Sequence, residues 1–267
     1  MSYYWENHKK KFDGNRLAWF GESANEEFWS SYWLKNLSKS FYEKLRDIKL
    51  EESHLGKILS EQLERDYKIL EAGCGAGKWV SILNSNGYDN TQGIDYSSEL
   101  TDHINRINQN LNVSCGDALH IDITDNYFDA YLSFGVIEHR IEGPDPFIIE
   151  AFRVVKPGGK VIITVPCVGL LRLLKAKIGL YQDETEKMPF FQYGFQRTEI
   201  NKLLEKYQFK IIKNRYIDFD RLWIEESLIY RKLAGYKKIR SIQKSFSRIF
   251  ERVDGHMLVV VAQKSGQ

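Results

Sequence analysis

Ile69-Leu70-Glu71-Ala72-Gly73-Cys74-Gly75-Ala76-Gly77 is the stretch whose reading decides the fold. A short apolar run enters an acidic residue and then three alternating glycines, which predicts a strand turning sharply into a helix. Glycine tolerates positive φ and has no Cβ, so such a turn lets the backbone lie against a bound molecule. A tight strand-to-helix turn without a ligand satisfies the same pattern, and the glycines alone do not separate the two readings. Spacing removes two ligand classes. A dinucleotide fingerprint begun at Gly73 requires glycine where Lys78 stands, and one begun at Gly75 requires it where Val80 stands. A phosphate-cradling loop requires glycine at Ala72 and a hydroxyl residue after the lysine, where Trp79 stands.

Outward from this turn the chain repeats one theme, a strand that ends in an acid. Thr91-Gln92-Gly93-Ile94-Asp95-Tyr96 places an acid where both hydroxyls of a ribose can be held, the logic dinucleotide folds use. Asn112-Val113-Ser114-Cys115-Gly116-Asp117-Ala118 places another after a third strand, and Phe128 to Phe134 leads into Gly135-Val136-Ile137-Glu138-His139. Ala151 to Val155 reads as a helix stopped by Lys156-Pro157-Gly158-Gly159, after which Lys160 to Val165 is a strand. This ordered set resembles the class I S-adenosylmethionine-dependent methyltransferases, in particular those acting on small molecules. The resemblance is close over residues 67–166 and looser over the last two strands.

The resemblance implies an α/β, Rossmann-like fold: a seven-stranded, mostly parallel sheet with an antiparallel last strand and helices on both faces. It implies S-adenosylmethionine as cofactor, with Glu71 supporting its amino-acid end and the backbone of Gly73, Gly75 and Gly77 along the same tail. Asp95 is then expected at the ribose, Tyr96 against the adenine, Asp117 and Ala118 at the adenine amino group, and Phe134 beside the transfer site. A solvated strand-end acid is the alternative at Asp95 and Asp117. Methyl transfer is a displacement at an already activated carbon, so positioning and exclusion of water are the protein's main tasks. A hydroxyl acceptor also gains from a base, for which His139 is the candidate; shaping the turn after the fourth strand is its other reading.

The net charge of +2 supplies no global attraction to nucleic acid or anionic lipid. The segment after the fourth strand lacks the Asn/Asp-Pro-Pro-aromatic signature associated with many base-modifying methyltransferases, so nucleic acid ranks below a small-molecule acceptor, with a glycan or metabolite hydroxyl as first choice. A module that binds the cofactor without turnover is the third reading. Cys74, Cys115 and Cys167 have no spacing suited to a metal or a redox pair, and no apolar run is long enough for a membrane span. These features fit a cytoplasmic protein with reduced thiols and no metal.

Residues 1–65 read as a helical extension or lid and residues 66–267 as the cofactor-binding domain, with insertions at about 168–195 and 221–255. The extension concentrates aromatic residues: Trp5, Trp19, Trp29 and Trp33 stand among its first 33 residues. Such density fits a cover over the site or helices docked on the sheet. Leu170 to Leu180 mixes apolar residues with Arg172, Lys175 and Lys177, which suits a packed helix or peripheral contact with a membrane surface. Ile239, Ile242, Phe246, Ile249 and Val253 recur at helical spacing in the second insertion, which carries an excess of basic residues suited to a solvated face or an anionic acceptor. A further helix is expected from Thr198, as cap, to Tyr207, and the last strands over Phe209 to Tyr216 and Met257 to Ala262.

Overall fold

The computed structural model describes residues 8–35, 37–227, 230, 232 and 251–266. Along them run β1 (Lys9–Phe12), β2 (Leu17–Phe20), α1 (Glu26–Leu34), α2 (Lys39–Arg46), α3 (His54–Gln62), β3 (Ile69–Ala72), α4 (Lys78–Ser85), β4 (Thr91–Asp95), α5 (Ser98–Ile107) and β5 (Val113–Cys115). There follow β6 (Phe128–Phe134), α6 (Asp145–Val154), β7 (Val155–Pro166), α7 (Leu170–Lys177), β8 (Phe190–Gly194), α8 (Arg197–Lys206), β9 (Phe209–Ile217), α9 (Phe219–Glu226) and β10 (Met257–Lys264).

Seven strands form the main sheet in the order β5-β4-β3-β6-β7-β10-β9. The first five pair in parallel, whereas β10 is antiparallel to both β7 and β9. The expected Rossmann-like sheet with an antiparallel last strand is therefore present. Alternation along the central strands builds a core on each face. Val161, Ile163 and Val165 of β7, with Leu258 and Val260 of β10, pack against Ile148 and Ala151 of α6 and Ile200 and Leu204 of α8. Ile162, Val259 and Val261 point the other way, into a cluster with Ile58 and Leu59 of α3, Val80 and Leu83 of α4, and Leu100 and Ile104 of α5.

Helix starts follow local chemistry. Ser97 caps α5 by accepting the Leu100 N–H at 3.2 Å, and Ser53 caps α3 by accepting the Gly56 N–H at 2.9 Å. The expected cap at Thr198 is displaced: α8 begins at Arg197 behind Gln196, which makes no side-chain capping bond. At the proline turn, α6 stops at Val154 and β7 already begins at Val155, with Gly158 at φ 79° supplying the turn's left-handed residue.

The extension departs from an all-helical reading. Its described part opens with the β1–β2 hairpin, and β2 pairs antiparallel with β8 from the first insertion to make a separate three-stranded sheet. Leu17 and Trp19 on β2 are buried with Phe191 on β8, Val168 and Tyr181. Lys9–Phe12 and Leu17–Phe20 carry no apolar/polar alternation, and four-residue strands are too short to separate from helix by pattern. Trp5 lies outside the described residues.

The first insertion holds α7 turned inside out relative to hydropathy. Arg172 is fully buried, whereas Leu170, Leu174 and Ile178 are 58, 52 and 73 % exposed. Arg172 is held at 3.0 Å from Glu225 and 3.1 Å from Glu226 on α9; Lys10 of β1 reaches the same carboxylates at 2.7 and 2.8 Å. The apolar repeat from Ile239 to Ile249 in the second insertion lies outside the described residues, and its last member, Val253, is exposed. No helix among the described residues is long and apolar enough to cross a membrane.

Candidate functional site

A cavity of about 660 Å³ opens at the carboxyl ends of β3, β4, β5 and β6, where the sheet order reverses between β3 and its neighbours. Each expected strand-end signature arrives there for a topological reason: parallel strands deliver their last residues to one edge. Gly73 and Gly75 come from the β3 turn, Asp95 and Tyr96 from β4, Asp117 and Ala118 from the β5 turn, and Phe134 and His139 from β6 and the turn beyond.

The glycine loop is strained for any other residue. Gly73, Gly75 and Gly77 have φ of 74°, 51° and 63°. A Cβ on Gly73 would lie 2.5 Å from Val136, and one on Gly75 would lie 2.7 Å from the indole of Trp33. The close approach that glycine permits is thus already used by the protein's own side chains, alongside the open cavity. A ligand is not the sole explanation of the motif. The loop is also pinned from outside, since the Tyr42 hydroxyl donates to the Ala76 carbonyl at 2.9 Å.

Asp95 is 5 % exposed and faces two backbone donors, Gly75 N–H at 2.8 Å on Oδ2 and Ser97 N–H at 3.2 Å on Oδ1. Burial pushes its pKa up, and the two N–H groups oppose that shift. Each carboxylate oxygen keeps acceptor capacity beyond its single backbone bond. Asp117 spends Oδ1 on the Leu119 N–H at 2.8 Å, which fixes the carboxyl on the cavity wall, with Tyr96 exposed nearby on the same wall.

Glu71 and Gly77 are not on that wall. Glu71 lies beneath the loop, fully enclosed, with Oε2 accepting the Val80 N–H at 3.2 Å in the first turn of α4. Burial, partly offset by that bond, pushes its carboxyl up to about 8. The folded protein therefore binds this proton more tightly than the unfolded chain does. Its contribution to stability is complete below the ordinary value of 4.5 and declines as pH rises to about 8. Glu71→Gln is expected to flatten part of the fall in unfolding free energy between about pH 5 and about pH 8. Urea titrations across that range measure it, and an unchanged slope would mean that Glu71 is ionised in the folded protein.

The cover was only half legible. Trp29 and Trp33, one helical turn apart on α1, roof the cavity, and Ser30 between them meets Ser97 Oγ at 2.6 Å, tying the roof to the loop after Asp95. The aromatic density of the extension pointed to α1; the serine contact and Tyr42 had no sequence signal. His139 stands at the inner end, its ring edge-on to Trp29 at 5.0 Å and Phe191 at 5.2 Å. Its Nδ1 is 2.8 Å from the Phe191 carbonyl, an acceptor only, so Nδ1 carries the proton and Nε2 holds a lone pair. Burial lowers its pKa to about 4, leaving the ring neutral near neutral pH.

Beyond His139 lies a second cavity of about 230 Å³, sharing Trp29, Trp33, Gly135 and His139 with the first. Glu138 lines it, 2 % exposed and with its carboxyl pushed up to about 8 by burial.

Residues 70–163 match the methyltransferase domain family. The chain is 26 % identical over 143 residues to a probable S-adenosylmethionine-dependent methyltransferase of Mycolicibacterium smegmatis, a match covering 54 % of this chain and 52 % of that one. It is 36 % identical over 103 residues to a probable tRNA methyltransferase 9B of Mus musculus, covering 36 % of this chain and 21 % of that protein. The chain thus spans about half the length of the first relative and about a fifth of the second. The crystal structure of a methyltransferase from Methanosarcina mazei superposes with a TM-score of 0.56 at 21 % identity, over 79 % of this chain and 98 % of that one. Residues 70–163 thus carry a methyltransferase domain, on a seven-stranded sheet that supports the class I S-adenosylmethionine-dependent reading.

Proposed function

We propose that the chain transfers the methyl group of S-adenosylmethionine to a small-molecule acceptor. The observation that carries this reading is the pair of joined chambers under α1: a larger one edged by the glycine loop, Asp95 and Asp117, and a smaller one beyond His139. The larger has the volume of a cofactor site. Its residues fit this cofactor's chemistry, because Asp95 offers spare carboxylate acceptors to a ribose, Asp117 offers one to an adenine amino group, and the cavity edge has acids rather than a phosphate cradle. Tyr96 supplies a ring face there, and Phe134 lines the route toward His139. Glu71 acts from below, holding the start of α4 and with it the glycine loop, and Gly77 gives that helix its left-handed entry.

The bound cofactor supplies an activated methyl group; the protein binds, orients and excludes water. Closure by Trp29 and Trp33 serves the last of these. A roofed inner chamber of about 230 Å³ suits a compact acceptor group and leaves no track for a polymer strand. Nucleic acid therefore stays the second reading, prompted by the tRNA methyltransferase relative. With Nδ1 committed to Phe191, His139 presents Nε2 as an acceptor that orients the incoming nucleophile and, with its lowered pKa, is a weak base. Such an acceptor serves the glycan or metabolite hydroxyl of first choice and an amine N–H alike.

Isotope-labelled cofactor incubated with a metabolite extract, followed by mass detection of the labelled product, tests the reaction. A labelled small molecule is expected; label found only in RNA would transfer the assignment to the second reading. His139→Ala is expected to lower turnover by about ten- to a hundredfold with cofactor affinity unchanged. Undiminished turnover would remove His139 from the site.

A further inference from the structure

The inner cavity is an aromatic box with one carboxyl that nothing else uses. Trp19, Trp29, Tyr32, Trp33 and Phe191 line it, and Glu138 is the acid on its wall at the His139 end. Glu138 Oε2 is buried and accepts no hydrogen bond from any of the described residues. Leaving a buried acceptor unmet is costly, and leaving a charged one unmet costs more. The other carboxyl of the cavity, Glu225, is already spent on Arg172, Lys10 and His256. The cavity's guanidinium, Arg221, comes from α9, one turn before Glu225. Glu138 makes no ion pair among the described residues.

We propose that this cavity is the acceptor subsite and takes a primary or secondary ammonium group, held over the indole faces and hydrogen-bonded to Glu138 Oε2. The proposal rests on the methyltransferase reading for its chemistry and on the cavity alone for its ligand. Electron-rich ring faces attract a cation, the more strongly where water is excluded, and a neutral hydroxyl gains nothing comparable from them. The N–H···Oε2 contact supplies the missing partner. Burial holds Glu138 protonated before binding, so as the ammonium enters that proton leaves to solvent; the pair then relaxes by one proton transfer, in which an ammonium N–H bond breaks, the Oε2–H bond forms again and the nitrogen keeps the electron pair. Burial favours the neutral forms of both groups, which is the direction that makes an amine nucleophilic. His139 Nε2, on the shared wall, is placed to accept a second N–H.

The test uses two isosteric probes, tert-butylammonium chloride and tert-butanol, titrated calorimetrically into the full chain saturated with S-adenosylhomocysteine, and again without it. The ammonium is expected to bind at least about tenfold more tightly than the alcohol. Glu138→Gln is expected to erase that preference while S-adenosylhomocysteine affinity stays unchanged; Glu138→Asp is expected to retain part of it. Equal binding, preference for the alcohol, a preference that survives Glu138→Gln, or no saturable binding of either probe would each overturn the proposal. Failure of S-adenosylhomocysteine to bind would instead sink the cofactor reading, and the probe titration without it would still decide the amine site.

Discussion

Asp95→Ala is expected to weaken S-adenosylmethionine binding by about a hundred- to a thousandfold. On the proposed reading the carboxylate accepts from both ribose hydroxyls, and hydrogen bonds to a charged partner are worth about 1.5–3 kcal/mol each. Two such bonds, partly replaced by water in the variant, give that range. The substitution also orphans the N–H groups of Gly75 and Ser97, which Asp95 now accepts at 2.8 and 3.2 Å, so the glycine loop loses its brace from β4. Asp95→Asn keeps the shape and one acceptor, and is expected to fall between the two. Calorimetric titration decides the matter, with a thermal melt to show that each variant is folded. An unchanged dissociation constant in folded Asp95→Ala would mean that the ribose lies elsewhere.

Arg172→Ala is expected to lower the unfolding free energy by about 3–5 kcal/mol, a large share of what a domain has. Arg172 is fully enclosed and forks between Glu225 and Glu226 at 3.0 and 3.1 Å, and it also donates to the Cys167 carbonyl at 2.5 Å. Removing it leaves two buried carboxylates facing Lys10, Lys175 and His256 with too little positive charge. Attraction to Arg172 first and Lys10 second holds both acids below the usual carboxylate range despite their burial, so the substitution removes the charge that does most to keep them ionised. Arg172→Lys is expected to recover little, because an ammonium cannot fork to two carboxylates in one plane. Urea denaturation near neutral pH measures the loss. A midpoint equal to that of the exposed-site control Lys177→Ala would show that the cluster contributes no net stability.

The sheet and the cofactor end of the site were legible because both follow from short-range rules. Acids and glycines follow the ends of parallel strands at one edge of the sheet, with Lys-Pro-Gly-Gly turning the chain at the opposite edge, and the topology then brings Asp95, Asp117 and Phe134 together without further information. The acceptor end was illegible for the complementary reason. Glu138 was read as part of a turn, and its meaning depends on Trp19 and Phe191, which lie more than fifty positions away on either side in sequence and meet it only through the β2–β8 pairing. Arg172 was read as one cation of an amphipathic stretch; the acids that pull it inward sit on α9, and local periodicity carries no trace of them. Glu71 shows a third case. Its position was legible, but its side chain turned to a backbone N–H beneath the loop rather than to the cavity.

The three-stranded sheet sets a timetable. Among the described residues the β1–β2 hairpin is the first element to be synthesised, yet its pairing partner β8 lies at Phe190–Gly194 and the carboxylates that bind Lys10 at Glu225 and Glu226. Contacts so distant in sequence form late, after the loop-closure entropy between them has been met by the central sheet. During synthesis the amino-terminal strands therefore wait, with Trp19 uncovered, until most of the chain has emerged. Because β1, β2 and β8 form a sheet of their own, their separation breaks no strand pairing among the seven central strands, and the two sheets can differ in local stability.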